Sequence, residues 1–406
     1  MAVVRTAHPY WIDRTAARDI PRRGPLDGDL RVDVAVIGGG ITGATISWIL
    51  SAAGLSVAAI EAQRIGRGST VASTALLMQE PDEDLLALSG RYGFASARRI
   101  WELSRDANDG FIALIKKLQI ACELKQQDSV YFTLDQPSRL RREHRLRGRA
   151  GLEGHWLEES ELLRLANIHG CGIRTSGNAQ VDPYKACLGL FEAASERGAR
   201  VFENTSALRV EGRAGRMSVK TPKGRVLADT VVVATGFATA EFKPLLARFR
   251  MRHTYVLVTP RLRPRVRREI GLSDVMLWDT DRPYHYARWT ADHRLMLGGG
   301  DRPRARGRLR RRAFREGTRD VRDYFVRLYP ALADVAVDYA WEGLFAITPD
   351  GLPYIGPHRR YPGHLFALGY GGNGMTFSFL AASLLRDRLM GRVSKDHDLF
   401  AFGRTR

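Results

Sequence analysis

Residues 31–43 read Arg-Val-Asp-Val-Ala-Val-Ile-Gly-Gly-Gly-Ile-Thr-Gly, and this stretch decides the fold class. Its first half is a run of β-branched and small apolar residues, which is typical of a buried strand in a parallel sheet. Three glycines with the spacing Gly38-x-Gly40-x-x-Gly43 follow, and a helix is predicted over Thr42–Ala53. A second strand is predicted over Ser56–Ile60. These elements make a strand-helix-strand unit of about thirty residues.

The glycine turn predicts a binding site for a dinucleotide. Gly38 permits the tight turn, Gly40 lets a diphosphate approach the backbone, and Gly43 allows the helix to pack closely on the strand. The first helical N–H groups, at Ile41 and Thr42, face the phosphate charge.

Glu61 strengthens this interpretation because it ends the second strand, 23 residues after Gly38. A carboxylate at that place accepts hydrogen bonds from ribose hydroxyls. Ala62 and Arg64 follow it and are predicted to line the same site. This pair of motifs does not separate NAD from FAD, and a plain glycine turn with a surface glutamate is the alternative.

Three later features favour FAD. The loop Ile65–Thr74 supplies hydroxyls for a second phosphate and a ribityl chain, although a flexible surface loop is the alternative. An apolar strand ends in Thr235-Gly236, with Leu208 upstream as a backbone contact to adenine, although a plain buried strand fits this segment nearly as well. The predicted hydroxyl ligands in the loop are Ser69, Thr70, Ser73 and Thr74.

The third feature is the glycine-rich run Gly369–Gly374 before an apolar helix predicted over Met375–Met390. Free N–H groups and the positive end of the helix dipole would meet there and stabilise negative charge on a reduced flavin ring. A tight loop packed on a buried helix is the alternative. The residues predicted to contact the cofactor here are Gly371, Gly372, Asn373, Gly374, Met375 and Thr376.

Composition excludes several classes of protein. The chain has 406 residues, 44% of them apolar and 26% charged, so it is long enough for two lobes and too apolar to be disordered. Its net charge of +19 is the difference between 63 basic residues, 55 Arg and 8 Lys, and 44 acidic ones. The arginines are spread along the chain, so no specific nucleic-acid partner is expected. Neither a signal peptide nor a membrane span is found, and we expect a cytoplasmic protein. Three cysteines at 122, 171 and 187 fit neither a disulfide framework nor a metal site.

Taken together, the motifs resemble the D-amino-acid oxidase and glycine oxidase (DAO) family of FAD-dependent oxidoreductases, and most closely the gamma-glutamylputrescine oxidase branch. The resemblance begins near residue 10 and covers nearly the whole chain. Besides the motifs above, it is carried by Val181-Asp182-Pro183, by Tyr286-x-Arg288-x-Thr290-Ala291-Asp292-x-Arg294-Leu295, by Gly298-Gly299-Gly300 and by Asp338-Tyr339-x-Trp341-x-Gly343. Gly343 is expected to lie beside the cofactor.

The resemblance implies bound FAD, which we expect to be noncovalent because no cysteine follows Cys187. It implies hydride transfer from the carbon of a C–N bond to flavin, after which water hydrolyses the imine. The substrate is expected to be an amine or amino acid, such as a gamma-glutamyl amine or an N-substituted amino acid. Oxygen or a quinone is expected to take the electrons, and the oligomeric state stays open.

The predicted organisation is α/β in part and α+β overall: a Rossmann-like FAD-binding domain interleaved with an antiparallel-sheet substrate domain. An N-terminal arm spans residues 1–30. The discontinuous FAD-binding domain is expected over residues 31–90, 155–237 and 340–395. The substrate-binding domain is expected over residues 91–154 and 238–339.

The catalytic candidates lie on the predicted strand Tyr284–Trp289. Alternation places Tyr284, Tyr286 and Arg288 on one face, where Arg288 would hold a substrate carboxylate and the two tyrosines would enclose the amine. The alternative is that Arg288 bridges loops and the tyrosines belong to the core. His285, on the other face, is a weaker candidate for a general base. The segment Phe345–Thr348 lacks the arginine that amino-acid oxidases use there, which argues against an α-amino acid.

Two other classes of function remain open from the residues alone. One is an NAD-type or noncatalytic nucleotide-binding protein, which would be colourless and would give Asn373 no role. The other is a basic nucleic-acid binder, whose affinity would fall steeply with salt.

Overall fold

The computed structural model describes residues 5–152 and 154–404. Residues 1–4 of the predicted arm and residue 153 of the predicted substrate domain lie outside the described residues. Twenty strands are present in the described chain: β1 (Arg5–Thr6), β2 (Leu30–Ile37), β3 (Val57–Ile60), β4 (Leu76–Leu77), β5 (Lys125–Gln126), β6 (Ser129–Thr133), β7 (His155–Leu157), β8 (Cys171–Thr175), β9 (Ala179–Gln180), β10 (Arg200–Phe202), β11 (Arg209–Arg213), β12 (Arg216–Thr221), β13 (Gly224–Gly236), β14 (Arg250–Val258), β15 (Met276–Asp279), β16 (His285–Trp289), β17 (Leu295–Pro303), β18 (Tyr339–Ile347), β19 (Tyr354–His358) and β20 (Tyr361–Leu368).

Twelve α-helices accompany them in the same residues: α1 (Tyr10–Arg14), α2 (Ile41–Ala52), α3 (Ser69–Ala72), α4 (Leu85–Tyr92), α5 (Phe94–Lys117), α6 (Pro137–Arg149), α7 (Glu159–Ala166), α8 (Pro183–Glu196), α9 (Lys243–Leu246), α10 (Pro264–Ile270), α11 (Arg308–Leu328) and α12 (Gly374–Leu389). Short 3₁₀ turns lie at Ala17–Asp19, Ala240–Phe242, Pro330–Leu332 and Lys395–Phe400. No helix of the described chain is both long enough and apolar enough to cross a bilayer.

The first large sheet is built around β13, which is parallel to β2 on one side and to β20 on the other. Outside β2 lie β3 and then β10, also parallel, so the predicted strand-helix-strand unit is confirmed. The first half of β13 pairs with β12 in an antiparallel ribbon. Helix α2 packs between α8 and α12 on one face of this sheet. The carboxyl ends of β2, β3 and β13 therefore meet at one edge.

The second large sheet has nine strands in the order β1-β18-β14-β17-β16-β15-β6-β8-β7. Most neighbours are antiparallel, and the pairs β1-β18 and β6-β15 are parallel. Helix α11 covers part of the sheet, and Gly317 lets the helix approach the ring of Tyr255, because a Cβ on Gly317 would lie 2.2 Å from that ring. The predicted combination of a parallel and an antiparallel sheet is confirmed.

Element ends agree with the sequence predictions to within a few residues, with one larger difference. Helix α11 begins at Arg308, six residues before Phe314, where the sequence pattern predicts that a helix over Phe314–Leu328 starts. The first turns escaped detection because they carry no buried apolar stripe, and Leu309 there is 67% exposed. The proposed domain boundaries stay a prediction.

Candidate active site

A cavity of about 1120 Å³ runs from the edge of the first sheet to the face of the second. At one end it is lined by the residues that follow β2, β3 and β13, the usual ligand position in an open parallel sheet. At the other end it is lined by side chains of β14, β16, β17 and β18. One continuous space therefore joins the predicted nucleotide site to the antiparallel sheet.

The glycine turn after β2 has the close contacts that its motif predicts. Gly38 has a φ of +119°, and a Cβ there would lie 2.5 Å from the carbonyl oxygen of Ala234 on β13. A Cβ on Gly43 would lie 1.9 Å from the carbonyl oxygen of Gly38. Only glycine fits at either place, so the backbone and the first turn of α2 come directly to the cavity.

Glu61 is fixed at the end of β3 by two backbone amides. Its Oε2 accepts from Gly39 N at 2.8 Å and its Oε1 accepts from Gln63 N at 2.9 Å. Each carboxylate oxygen keeps a further lone pair, and the residue lines the cavity. The carboxylate is therefore oriented to accept the two hydroxyls of a ribose.

The loop after Glu61 is tied to the body at several points. Thr70 Oγ1 accepts from Ile41 N at 2.9 Å, and Ser69 donates to the carbonyl of Leu344 at 2.7 Å. The Trp11 indole donates to the carbonyl of Ser73 at 2.8 Å. These bonds hold the loop in place as a wall of the cavity, so it is not the flexible surface loop that was the alternative.

A buried carboxylate that sequence reasoning missed anchors the start of this loop. Glu203 is 1% exposed, accepts from Ile65 N at 2.9 Å and pairs with Arg64 at 2.9 Å. Its position at the end of the predicted strand Arg200–Glu203 was the available signal, since a glutamate closing a buried strand needs a partner.

The loop before α12 lies against the segment 78–82. Asn373 donates to the carbonyl of Glu80 at 2.9 Å, while its buried Oδ1 has no partner among the described residues. Gly372 N donates to the carboxylate of Asp82. Burial raises the pKa of Asp82 to about 7, although the bond from Gly372 opposes this shift. The start of α12 therefore presents N–H groups to an acceptor in the cavity.

At the far end, Tyr286 spans two strands. Its ring covers Gly298, where a Cβ would lie 2.0 Å from the ring, and its hydroxyl lies 2.8 Å from Thr254 Oγ1. Trp278 and Tyr284 form the neighbouring wall, with their ring centroids 5.6 Å apart. Aromatic rings therefore line this end of the cavity, together with the hydrogen-bonded hydroxyls of Tyr286 and Thr254.

A bulge brings a carboxylate to the same place. Between the pairs His253-Arg302 and Tyr255-Gly299, β14 contributes one residue and β17 contributes two, Gly300 and Asp301. Bulges re-aim side chains beside active sites, and Asp301 lines the cavity with Thr254. Burial raises the pKa of Asp301 to about 6, while its bond with Thr254 opposes this shift.

The cofactor end fits FAD. The glycine turn and Glu61 match an adenosine diphosphate half, the hydroxyl loop matches a second phosphate, and the unpartnered Asn373 amide oxygen with the α12 N–H groups matches the polar edge of a flavin ring. The sequence matches the family described as FAD dependent oxidoreductase (DAO) over residues 33–388. The chain belongs to this family. The resemblance stated from the motifs is therefore confirmed, and so are enzyme class and cofactor.

Individual DAO-family proteins are similar along their full length. Gamma-glutamylputrescine oxidoreductase of Escherichia coli is 27% identical over 93% of this chain and 87% of its own length. Glycine oxidase of Bacillus subtilis is 27% identical over 91% of this chain and 96% of its own. The solved L-proline dehydrogenase of P. horikoshii has a TM-score of 0.76 at 20% identity, over 93% and 99% of the two chains. This last likeness concerns the fold.

Most of the predicted cofactor residues line this DAO-family cavity. Those that do are Gly38, Gly40, Ile41, Thr42, Glu61, Ala62, Arg64, Ser69, Thr70, Ser73, Thr74, Thr235, Gly236, Gly343, Gly371, Gly372, Asn373, Gly374 and Met375.

Three predicted cofactor residues lie outside the lining. Gly43 does not face the cavity, but its lack of a side chain lets α2 pack closely against the turn at Gly38. Thr376 faces away and donates to the carbonyl of Met78 at 2.7 Å. Leu208 has a 53% exposed side chain, and its N–H is used by the carbonyl of Lys220, so the wall there is formed by Ser206 and Ala207 instead.

Of Tyr286, Arg288 and His285, Tyr286 alone lines the cavity, and Tyr284 lines it beside Tyr286. Arg288 lies beyond it, because β16 runs on from the cavity to α1: its Nη2 donates to the carbonyl of Val181 at 2.9 Å and its guanidinium stacks on Trp11. The expected shared face of Tyr286 and Arg288 therefore does not place both in one site.

His285 faces α11 and not the cavity. Its ring stacks on Tyr324 at 3.6 Å between centroids, and Nδ1 lies 2.9 Å from Asp279 Oδ2. These contacts leave it without access to a substrate at the Tyr286 end, since the other face of the strand points to the helix.

Sequence reasoning missed the charged residues that line the far end, among them Arg252, Asp82, Arg282 and Asp301. Isolated charged residues in strands and loops carry no spacing signal. The one available hint was the triple glycine before Asp301, which permits a bulge.

Proposed function

We propose that this chain oxidises the C–N bond of an amine that also carries a carboxylate, such as a gamma-glutamyl amine or an N-substituted amino acid. The observation that carries the proposal is that the carboxylate of Asp301 and the guanidinium of Arg252 both line the end of the cavity remote from the nucleotide turn. Other charged residues, among them Asp82, Glu83 and Arg282, line the cavity as well. When bound, FAD would accept the hydride, which carries two electrons and one proton.

Asp301 prepares the substrate nitrogen. An amine must lose its proton before its α-hydrogen can leave as hydride, and a carboxylate beside the ammonium is the acceptor that this step needs. Burial raises the pKa of Asp301 to about 6, which brings it closer to working pH than an exposed aspartate. Thr254 lies beside Asp301 and favours the ionised form of its carboxyl group by lowering its pKa.

Arg252 binds the carboxylate of the substrate. It lies on β14 two residues before Thr254, so the two side chains share the face of the sheet that lines the cavity. No ion pair of Arg252 is found within residues 5–152 and 154–404, in contrast to its neighbour Arg302, which pairs with Glu316 and Asp320. A guanidinium without a carboxylate partner is suited to bidentate binding of one.

Tyr286, Tyr284 and Trp278 exclude water from the reacting end. Their rings form a wall beside Gly298, and they restrict the orientation of a substrate chain between Asp301 and the flavin site. Exclusion of water also protects the imine until it leaves the site.

The test is a product assay with paired substrates. A gamma-glutamyl amine and the matching amine without the carboxylate are supplied with oxygen or with a soluble quinone, and the carbonyl product is trapped. The proposal requires carbonyl formation from the carboxylated amine and a KM about 10-fold higher for its partner, which is the loss of one charge-assisted contact of about 1.5 kcal/mol. Equal KM values would remove the carboxylate from the proposal.

A further inference from the structure

A second cavity, of about 320 Å³, lies where α1, α10, β16 and the segment before α8 meet. Within the described chain its lining residues do not overlap with those of the FAD cavity. The apolar part of the wall consists of Trp11, Leu272 and Trp289. Its volume is at the lower end of the range of ligand pockets, about 300–1000 Å³, and suits a small metabolite.

Arg288 lies in the wall of this cavity and is 2% exposed. Its guanidinium stacks on the ring of Trp11 at 5.0 Å, and one hydrogen bond goes to the carbonyl of Val181. Its Nε has no hydrogen-bond partner, and no ion pair of Arg288 is found among the described residues, although the charges of Asp182 and Glu123 act on it. A buried cation in this state is costly, and burial lowers the pKa of Arg288 to about 10.

Arg267 brings a second guanidinium to the same cavity from α10. Its Nη1 donates to Nδ1 of His293 at 3.1 Å, while its buried Nε has no partner in the part of the chain that the structure describes. Two arginines thus converge with unused donors.

The acidic residues of the wall are already neutralised by other cations. Asp274 pairs with Lys125. Glu123 pairs with Arg14 at 2.9 Å and with Lys185 at 3.4 Å. The charge left for a ligand is therefore positive.

We propose that this cavity is a second ligand site, which binds a small oxyanion, a carboxylate or a phosphate monoester, through Arg288 and Arg267. The planar guanidinium matches either group with two parallel hydrogen bonds. Trp11 and Trp289 cover the apolar body of such a ligand. An anion here restores a partner to the buried charge of Arg288, and it does so without any contact to the FAD cavity.

The test is calorimetric titration of the FAD-loaded protein with succinate and, separately, with inorganic phosphate at low ionic strength. We expect saturable binding of at least one probe. Binding of succinate alone assigns a carboxylate ligand, and binding of phosphate alone assigns a phosphate monoester. The absence of saturable binding by either probe up to the millimolar range overturns the proposal.

Variants decide where the probe binds. Arg288→Met and Arg267→Met should each weaken binding about 10-fold, the loss of one charge-assisted contact. Arg265→Met is the matched control, because Arg265 is exposed on the same helix and pairs with Glu269. If Arg288→Met fails to fold by circular dichroism, Arg267→Met decides alone. Unchanged affinity in Arg267→Met, or equal loss in Arg265→Met, contradicts the site.

Discussion

The hydroxyl of Tyr286 lies 2.8 Å from Oγ1 of Thr254, across the intervening strand β17. The contact exists because Gly298 has no side chain beneath the tyrosine ring. Thr254 also lies opposite the bulge that carries Asp301, and both residues line the cavity beside the aromatic wall. Tyr286, Thr254 and Asp301 are therefore the polar groups of this end of the cavity, and each can be replaced separately.

Replacing Gly298 with alanine should damage the site more than removing the tyrosine hydroxyl. A Cβ at 2.0 Å from the Tyr286 ring must displace that ring from the wall. We expect Gly298→Ala to lower kcat/KM about 100-fold, and Tyr286→Phe, which loses one hydrogen bond of about 1 kcal/mol, to lower it about 5-fold. Steady-state kinetics with the best substrate of the paired panel measures both. A reversed order would show that Tyr286 is not held by this contact.

Asp301→Asn should lower kcat/KM about 100-fold near pH 7, because the variant cannot take the proton of the substrate ammonium. The loss should shrink as the pH rises, because the free amine becomes more abundant. The pH profile of kcat/KM in the variant is therefore expected to shift to higher pH. Asp323→Asn, which changes an exposed carboxylate on α11, is the control and should behave as the parent. A uniform loss at all pH values would give Asp301 a merely structural role.

Asp301 also predicts a pH dependence of stability. Its pKa is raised on folding from an ordinary aspartate value to about 6, so the folded state binds more protons than the unfolded state in that interval. The stabilisation is present below about pH 4 and is lost as pH rises through 6. Denaturant unfolding of FAD-loaded protein should therefore show a steeper decline from pH 4 to 7 in the parent than in Asp301→Asn. Parallel curves would contradict this.

Glu61→Gln should weaken FAD binding about 10-fold, since the amide keeps the shape but loses a charge-assisted bond to the ribose. Its two contacts, to Gly39 N and Gln63 N, also demand acceptors at both positions, which an amide offers at only one. The FAD dissociation constant is measured by flavin fluorescence after dialysis. Glu196→Gln, an exposed change on α8, should retain FAD as the parent does.

Trp11→Phe should loosen the cofactor loop although Trp11 does not line the FAD cavity. The variant keeps an aromatic ring beside Arg288, loses the N–H that holds the carbonyl of Ser73, and leaves a small gap where the second ring of the indole lay. We expect a several-fold faster loss of FAD, corresponding to about 1 kcal/mol for one hydrogen bond. Tyr10→Phe is the control, because its hydroxyl bonds Asp292 and not the loop. Equal FAD release from both variants would indicate a general effect of α1.

The sequence predicted those parts of the molecule whose chemistry depends on local spacing. The turn at Gly38, Gly40 and Gly43 and the strand-ending Glu61 need fixed distances along the chain, and these appear where expected. The hydroxyl loop and the glycine run before α12 were predictable for the same reason.

The substrate end was not predictable because it depends on pairing between distant strands. Asp301 reaches the cavity only through the bulge opposite Thr254, and the alternation rule gives no account of a bulge. Arg288 lies outside the FAD cavity although it is on the same face of the strand as Tyr286. Alternation predicts the face of a side chain, but the cavity ends at Tyr286, two residues before Arg288. Side-chain direction alone does not locate a pocket.

The central claim is that a carboxylated amine is oxidised by FAD in this cavity, and an anaerobic visible titration tests it most directly. The purified protein is mixed without oxygen with gamma-glutamyl amines, N-methyl glycine, D-amino acids and their uncharged analogues. The account predicts a flavin band that is bleached by a carboxylated amine and remains with the analogue at the same concentration. A flavin band that no amine bleaches would contradict the proposed reaction.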